Sequence, residues 1–181
     1  MPNAAVRQLI VDRYAAVHGA APPAEYPDYL TVKGPDGPYA TLGYRRAGSN
    51  RLFLEQYLDS PIEQVLSERL GRPIARETVV ELGDHASRRP AATVTLWLRT
   101  ADALCGRADF AVAVLTAPLR AMLRRLDLTL LELAPATASR LGDHAANWGR
   151  YYATDPVLCA GHVPTNRTTL TQSARNWRHG A

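Results

Sequence analysis

Cysteine is scarce: Cys105 and Cys159 are the only two in 181 residues. Neither belongs to a CxxC pair or a Cys/His cluster, which argues against a metal centre or a disulfide framework. Both lie in apolar surroundings and read as buried thiols. Lysine is scarcer still, with Lys33 alone, so the basic excess is arginine: 21 basic against 17 acidic residues give a net charge of +4. No apolar run approaches a membrane-spanning length. The N-terminal stretch MPNAAVRQLIVDRY carries a charge every few positions in place of a secretory apolar block, so a cytoplasmic protein is expected. There is no internal repeat and no helix-turn-helix, zinc-finger or RNA-recognition signature. The charge therefore points to an acidic or phosphorylated partner and not to nucleic acid. What is present, 46% hydrophobic and 21% charged residues, suffices for one domain with a real core.

The most informative stretch is Thr78–Cys105. Its start, TVVELG, is strand-like, with Glu81 set among Val79, Val80 and Leu82. Its end places Val94, Trp97, Leu98, Ala101 and Leu104 on one face of a helix. The polar, doubly basic GDHASRRP between them reads as a loop leading to a helix that opens at Pro90. A strand feeding a loop and a helix N-terminus offers backbone N–H groups to an anionic ligand.

The rest of the chain supplies a sheet around this unit. Val6, Leu9, Ile10, Tyr14 and Val17 mark a first helix that Gly19 ends, and the proline-rich AAPPAEYP breaks the chain. Tyr29–Val32 and Tyr39–Tyr44 form a hairpin around GPDGP, followed by a polar loop from Arg45 to Arg51. Phe53–Leu58 is ambiguous between strand and helix. Ser60, Pro61 and Glu63 suggest a capping box for a helix buried along Ile62, Val65, Leu66 and Leu70 and ended by Gly71. DFAVAVLT reads as a central strand. Pro118 opens a helix with Leu119, Met122, Leu123 and Leu126 inward and Arg120, Arg124 and Arg125 outward. LTLLELAP is a strand, a short helical piece follows near Ala138–Leu141, and Val157–Val163 is a last strand. The expected fold is α/β: one domain over residues 1–164, a mixed central sheet with helices on both faces, and a loose polar tail over 165–181.

This order of elements resembles the GNAT-type acyltransferases. More closely, FLEQYLDSPIE, LGRPIARETVVELGDHAS and WGRYYATDPVLCAG resemble the thermostable hemolysin family, from about Val6 to Val163. The resemblance implies a GNAT-like fold with kinship to acyl-homoserine-lactone synthases. The family name itself implies a membrane-active protein, but the chain offers no amphipathic hairpin or long apolar segment for lipid. The first expectation is therefore transfer of an acyl group from a thioester, on coenzyme A or a carrier protein's pantetheine, to an amine of a small molecule. S-adenosylmethionine-dependent lactone synthesis is a variant, and a GNAT-like ligand-binding domain without catalysis is an alternative. No metal is expected.

The candidate residues follow. Glu81, on an apolar strand, is either a general base or a structural carboxylate. Leu82, Gly83, Asp84 and His85 would present strand-edge groups to the pantetheine. Arg88, Arg89 and Ala91 occupy the place where the resemblance implies a phosphate loop, yet no glycine is present, and Pro90 removes an N–H donor. Glu55 and Gln56 are candidates for holding the substrate amine. Trp148, Tyr151 and Tyr152 form an aromatic cluster that either packs or serves the site: Trp148 would line the substrate, and Tyr151 or Tyr152 would protonate the leaving thiolate. His18, His85, His144, His162 and His179 have no ligand or triad context, although His85 lies in the site loop.

Overall fold

In the computed structural model, residues 3–21, 26–48 and 51–179 are described, with side chains to residue 173. Part of the proline-rich break (22–25) and Ser49 and Asn50 of the polar loop lie outside the described residues. The predicted hairpin is β1 (Asp28–Gly34) and β2 (Gly37–Arg46), joined at Gly37, whose φ of 106° suits glycine. Strands β3 (Val79–Ser87), β4 (Phe110–Leu115), β5 (Leu131–Pro135) and β6 (Val157–His162) complete one sheet in the order β1-β2-β3-β4-β6-β5. Only β3 and β4 run parallel; the other neighbours are antiparallel. The sheet is mixed and covered on both faces, as expected.

One face carries α3 (Pro90–Leu104), α4 (Ala117–Arg125) and α5 (Val163–His179), whose Leu96, Leu123 and Leu170 pack on Leu42, Val80, Leu82 and Leu115. The other face carries a 3-10 turn (Phe53–Tyr57), α2 (Ile62–Leu70) and the 3-10 segments Ala138–Trp148 and Tyr151–Thr154, over Val79, Val112 and Leu158. On this face α1 (Ala4–His18) sets Val6, Leu9 and Ile10 against Ala86; Asn3 caps its start and Gly19 (φ 63°) ends it.

Several local expectations need correction. The GDHASRRP loop is mostly strand, because β3 continues to Ser87. The buried face of α3 is Ala92, Thr93, Leu96, Trp97, Thr100 and Leu104, while Val94, Leu98 and Ala101 are only partly buried. Thr100 is tolerated inside because its hydroxyl donates to Leu96 O at 2.8 Å. The capping box of α2 does not form: Pro61 stands at the cap without a side-chain bond, and Glu63 turns to Arg76. Phe53–Tyr57 is helical, with Leu54, Glu55 and Tyr57 all buried, so no strand alternation separates them.

Arg120 was expected outside but is 6% exposed. Its guanidinium donates to Leu115 O (2.7 Å), Asp155 O (2.6 Å) and Asp155 Oδ2 (2.7 Å), tying α4 to the ends of β4 and β6. The tail after Thr165, expected to be loose, forms most of α5. There Leu170 is buried, and Asn166 exchanges hydrogen bonds with the Thr129 backbone at 3.0 and 3.1 Å.

Candidate functional site

The site begins where the sheet opens. The β3–β4 ladder runs from Val79 opposite Phe110 to Leu82 opposite Ala113 and ends there, although β3 continues to Ser87 and β4 to Leu115. On its other side β3 stays paired with β2, but two residues, Asp84 and His85, oppose Leu42 alone. Asp84 takes φ 48° at this bulge, and its carboxylate accepts from the Tyr29 hydroxyl at 2.7 Å. The bulge turns the end of β3 away from β4, and a pocket of about 60 Å³ opens between them.

Glu81 lines this inner pocket and is 1% exposed. Its Oε1 accepts the Leu54 N–H at 2.9 Å and its Oε2 the Phe53 N–H at 3.1 Å, so it caps the first turn of the 3-10 helix. Arg45 Nε stands 4.0 Å away, and Tyr26 lines the same pocket. Burial raises the Glu81 pKa above the ordinary carboxylate range, while the Leu54 and Phe53 amides, Arg45 and Tyr26 pull against that rise. The Tyr26 ring lies over two opposed glycines, Gly43 and Gly83. A Cβ on Gly83 would fall 2.1 Å from the Tyr26 oxygen, so glycine there makes room for the tyrosine.

The inner pocket adjoins an outer cleft of about 510 Å³, and the two share Tyr14, His85, Val114, Leu119 and Tyr151. The outer cleft is bounded by α1 (Arg13, Val17), by Ser87, Arg88, Arg89 and Pro90, and by α4 (Pro118, Met122). Arg89 lies 4.5 Å over the Tyr39 ring, and the half-exposed Arg88 stands 4.0 Å from Asp12. Ala91 is exposed in the first turn of α3. On its other side the inner pocket meets an apolar cavity of about 60 Å³; Leu82, Trp97, Ala113 and Leu115 line both. Leu104, Leu123, Leu128, Cys159 and Leu170 form much of the far wall. Burial pushes the Cys159 thiol up to about 11, as suits an unreactive packing group.

The structure thus brings Glu81, Leu82, Gly83, Asp84, His85, Trp148 and Tyr151 into the inner pocket, with Arg88 and Arg89 at the outer cleft. The Tyr151 hydroxyl donates to Val114 O at 3.3 Å, and burial holds its pKa far above the ordinary tyrosine value. Tyr152 does not line the pocket itself but shares a hydrogen bond of 2.7 Å with Tyr57, which does.

Glu55 and Gln56 also stand apart. Glu55 accepts from Arg76 at 2.6 and 3.0 Å, from Leu52 N at 2.8 Å and from Ile62 N at 2.9 Å. Four donors fill the four lone-pair sites of a carboxylate, which leaves Glu55 no capacity for an amine. Burial opposes its ionisation, but Arg76 and the two amides hold its pKa below the usual range. Gln56 donates to Phe53 O at 3.0 Å.

Tyr14, Tyr26 and Trp97 were not singled out for the site, yet they line the inner pocket. Among the described residues no group of His, Cys, Asp and Glu could hold a metal ion, and no helix is long and apolar enough to cross a membrane.

Comparison with solved structures shows the same fold in acyl-transferring synthases. The N-acyl amino acid synthase FeeM from uncultured soil microbes superposes with a TM-score of 0.62 at 15% identity, over 91% of this chain and 92% of that one. BjaI, a CoA-dependent acyl-homoserine lactone synthase solved with SAM and isopentyl-CoA, gives a TM-score of 0.63 at 10% identity over 95% and 81%. TofI, solved in a ternary complex with an inhibitor and MTA, gives 0.57 at 15% identity over 94% and 91%. No curated protein matches the sequence. The family model described as "Thermostable hemolysin" matches residues 2–166, and the chain belongs to that family.

Proposed function

We propose that the protein transfers an acyl group from a thioester to an amine of a small molecule. The observation that carries this reading is the parting of β3 and β4 beyond Leu82 and Ala113. It sets a basic outer cleft, a pocket holding a buried carboxylate and an apolar cavity side by side, with wall residues in common. Those compartments suit a phosphorylated pantetheine arm, a reaction centre and an acyl chain. Structural likeness to FeeM, an N-acyl amino acid synthase, and to BjaI, solved with isopentyl-CoA, supports the same reading.

In this mechanism the pantetheine lies along the unpaired edge of β3, whose N–H groups between Leu82 and His85 orient it and polarise the thioester carbonyl. The amine nitrogen attacks that carbon, and Glu81 accepts the amine proton through water or the Tyr26 hydroxyl. The raised Glu81 pKa suits a group that accepts a proton during the reaction. Collapse of the tetrahedral intermediate breaks the C–S bond, and the departing thiolate takes a proton. Of the two predicted tyrosines Tyr151, neutral and beside Val114, is the one that lines the pocket and would be the donor. Arg88, Arg89 and the α3 N-terminus around Ala91 would hold the donor's phosphates.

The test is mass-spectrometric detection of N-acyl products when the protein is supplied with acyl-coenzyme A or acyl-carrier-protein thioesters and a panel of amines. Amine-dependent release of free thiol with matching N-acyl product is the expected result. Thioesters that bind but stay intact with every amine would favour a ligand-binding domain without catalysis.

A further inference from the structure

Two ring nitrogens of neighbouring side chains in the inner pocket have no hydrogen-bond partner: Trp97 Nε1, on the wall shared with the apolar cavity, and His85 Nε2, on the wall shared with the outer cleft. Their rings lie 5.8 Å apart between centroids, tilted by 36°. Trp97 is 9% exposed and lines both compartments; His85 lines the inner pocket and the outer cleft. Trp148 Nε1 in the inner pocket and His18 Nδ1 by the outer cleft are also unpaired, whereas the polar groups around Trp97 and His85 are occupied. Thr100 donates to Leu96 O, both ends of the Asn166 amide are bonded to Thr129, and Asp84 accepts from Tyr29. Buried polar atoms are rarely left unpaired, and a pair of them in one cavity wall marks a place where a ligand supplies the missing atoms. Tryptophan can only donate. Burial keeps His85 neutral, lowering its pKa to about 4, so one of its ring nitrogens is an acceptor. With the His85 proton on Nδ1, the unpaired Nε2 is that acceptor, and a donor beside an acceptor matches a hydroxyl group, which accepts from one and donates to the other.

We infer that Trp97 and His85 bind a hydroxyl carried on the acyl chain close to the thioester carbonyl, so that the protein selects hydroxyacyl donors over plain hydrocarbon chains. This rests on the acyl-transfer reading and adds a substrate class to it. Trp97 stands between the Glu81 pocket and the apolar cavity, and His85 packs beside it, where the first carbons past the carbonyl would lie. A plain chain leaves both nitrogens desolvated and unpaired, whereas a β-hydroxyl satisfies both. Sites built around a substrate hydroxyl discriminate strongly against analogues that lack it.

The test is calorimetric titration of the full chain with β-hydroxydecanoate and with decanoate. The wild type is expected to bind the hydroxy acid about tenfold or more tightly, the worth of one or two net hydrogen bonds. Trp97→Phe keeps an aromatic ring, removes the unpaired N–H and leaves a smaller side chain in the wall. The folded variant should lose most of the preference for the hydroxy acid, read as the ratio of its two affinities. His85→Phe removes the acceptor and should weaken the preference independently, which keeps the test open if one variant misfolds. Equal wild-type affinities, a preference unchanged in either folded variant, or binding of neither acid would overturn the inference. Because binding is read without turnover, hydroxy-acid selectivity in a protein that transfers no acyl group would sink the catalytic reading alone.

Discussion

At the residue scale, two buried glutamates of similar appearance do different work. Glu55 has every lone pair engaged and joins Arg76 in a shielded ion pair, with side-chain exposures of 6% and 18%. Arg76→Ala leaves that charge uncompensated, and the expected cost is about 3–5 kcal/mol in chemical denaturation. A loss below about 1 kcal/mol would show that the pair is dispensable. Glu81, by contrast, keeps a cavity at its side and a raised pKa. It was legible in sequence because a lone carboxylate on an apolar strand needs a reason. Glu55 was misread because its partner, Arg76, lies 21 residues away, and chain spacing does not reveal that pairing. Arg120 was misread for a related reason: arginine is outward by default, and only the tertiary fold supplies the two carbonyls that bury it.

Tyr26 was invisible for a third reason, since it follows a proline-rich break and reaches the site only through packing over Gly43 and Gly83. Gly83→Ala should therefore displace Tyr26 and cost about 1–3 kcal/mol through overpacking. In a Tyr26→Ala background the same change should cost far less, a coupling that a double-mutant cycle of melting free energies would read. Additive effects would contradict the close contact.

At the scale of elements, the strands and helices followed from hydrophobic period and from the punctuation at Gly19, Gly37, Gly71, Pro90 and Pro118. The β3 bulge did not, because GDHAS carries the turn-forming residues of a loop while its backbone stays paired with β2. That bulge creates the pocket, so the least legible local feature is the one that makes the site. α5 was missed because its polar sequence hides two anchors, Asn166 on Thr129 and Leu170 in the core. Leu170→Ala should lower stability by about 2–5 kcal/mol, the usual cost of emptying a buried leucine site. It should also weaken fatty-acid binding, because Leu170 lines the apolar cavity. An unchanged melting temperature would return this segment to the status of a loose tail.

At the scale of the molecule, several buried groups couple their protonation to folding. His85 is kept neutral by burial, with its pKa lowered from 6.5 to about 4. The unfolded chain therefore binds more protons there, and stability must fall as the pH drops from about 6.5 toward 4, by on the order of 3 kcal/mol at most. Glu55, also lowered, adds loss in the same direction on acidification. Glu81, raised, acts oppositely: its contribution is complete below the unfolded value and is lost as the pH rises through the folded one. Melting temperatures of His85→Asn should decline less than the wild type's across this window; identical slopes would show that His85 titrates alike folded and unfolded.

The central claim is that Glu81 acts on protons in the inner pocket as well as capping the 3-10 turn. Glu81→Gln separates the roles, because its amide keeps one acceptor oxygen but turns an NH2 toward the other backbone N–H. A moderate loss of stability, about 1–3 kcal/mol, is therefore expected whatever the chemistry. The direct measurement is the amine-dependent rate of thiol release per folded enzyme, at a temperature where both proteins are fully folded. A fall of roughly 10²–10⁴-fold is expected, with thioester affinity little changed. A folded Glu81→Gln protein that turns over at the wild-type rate would contradict it and leave Glu81 as a cap alone.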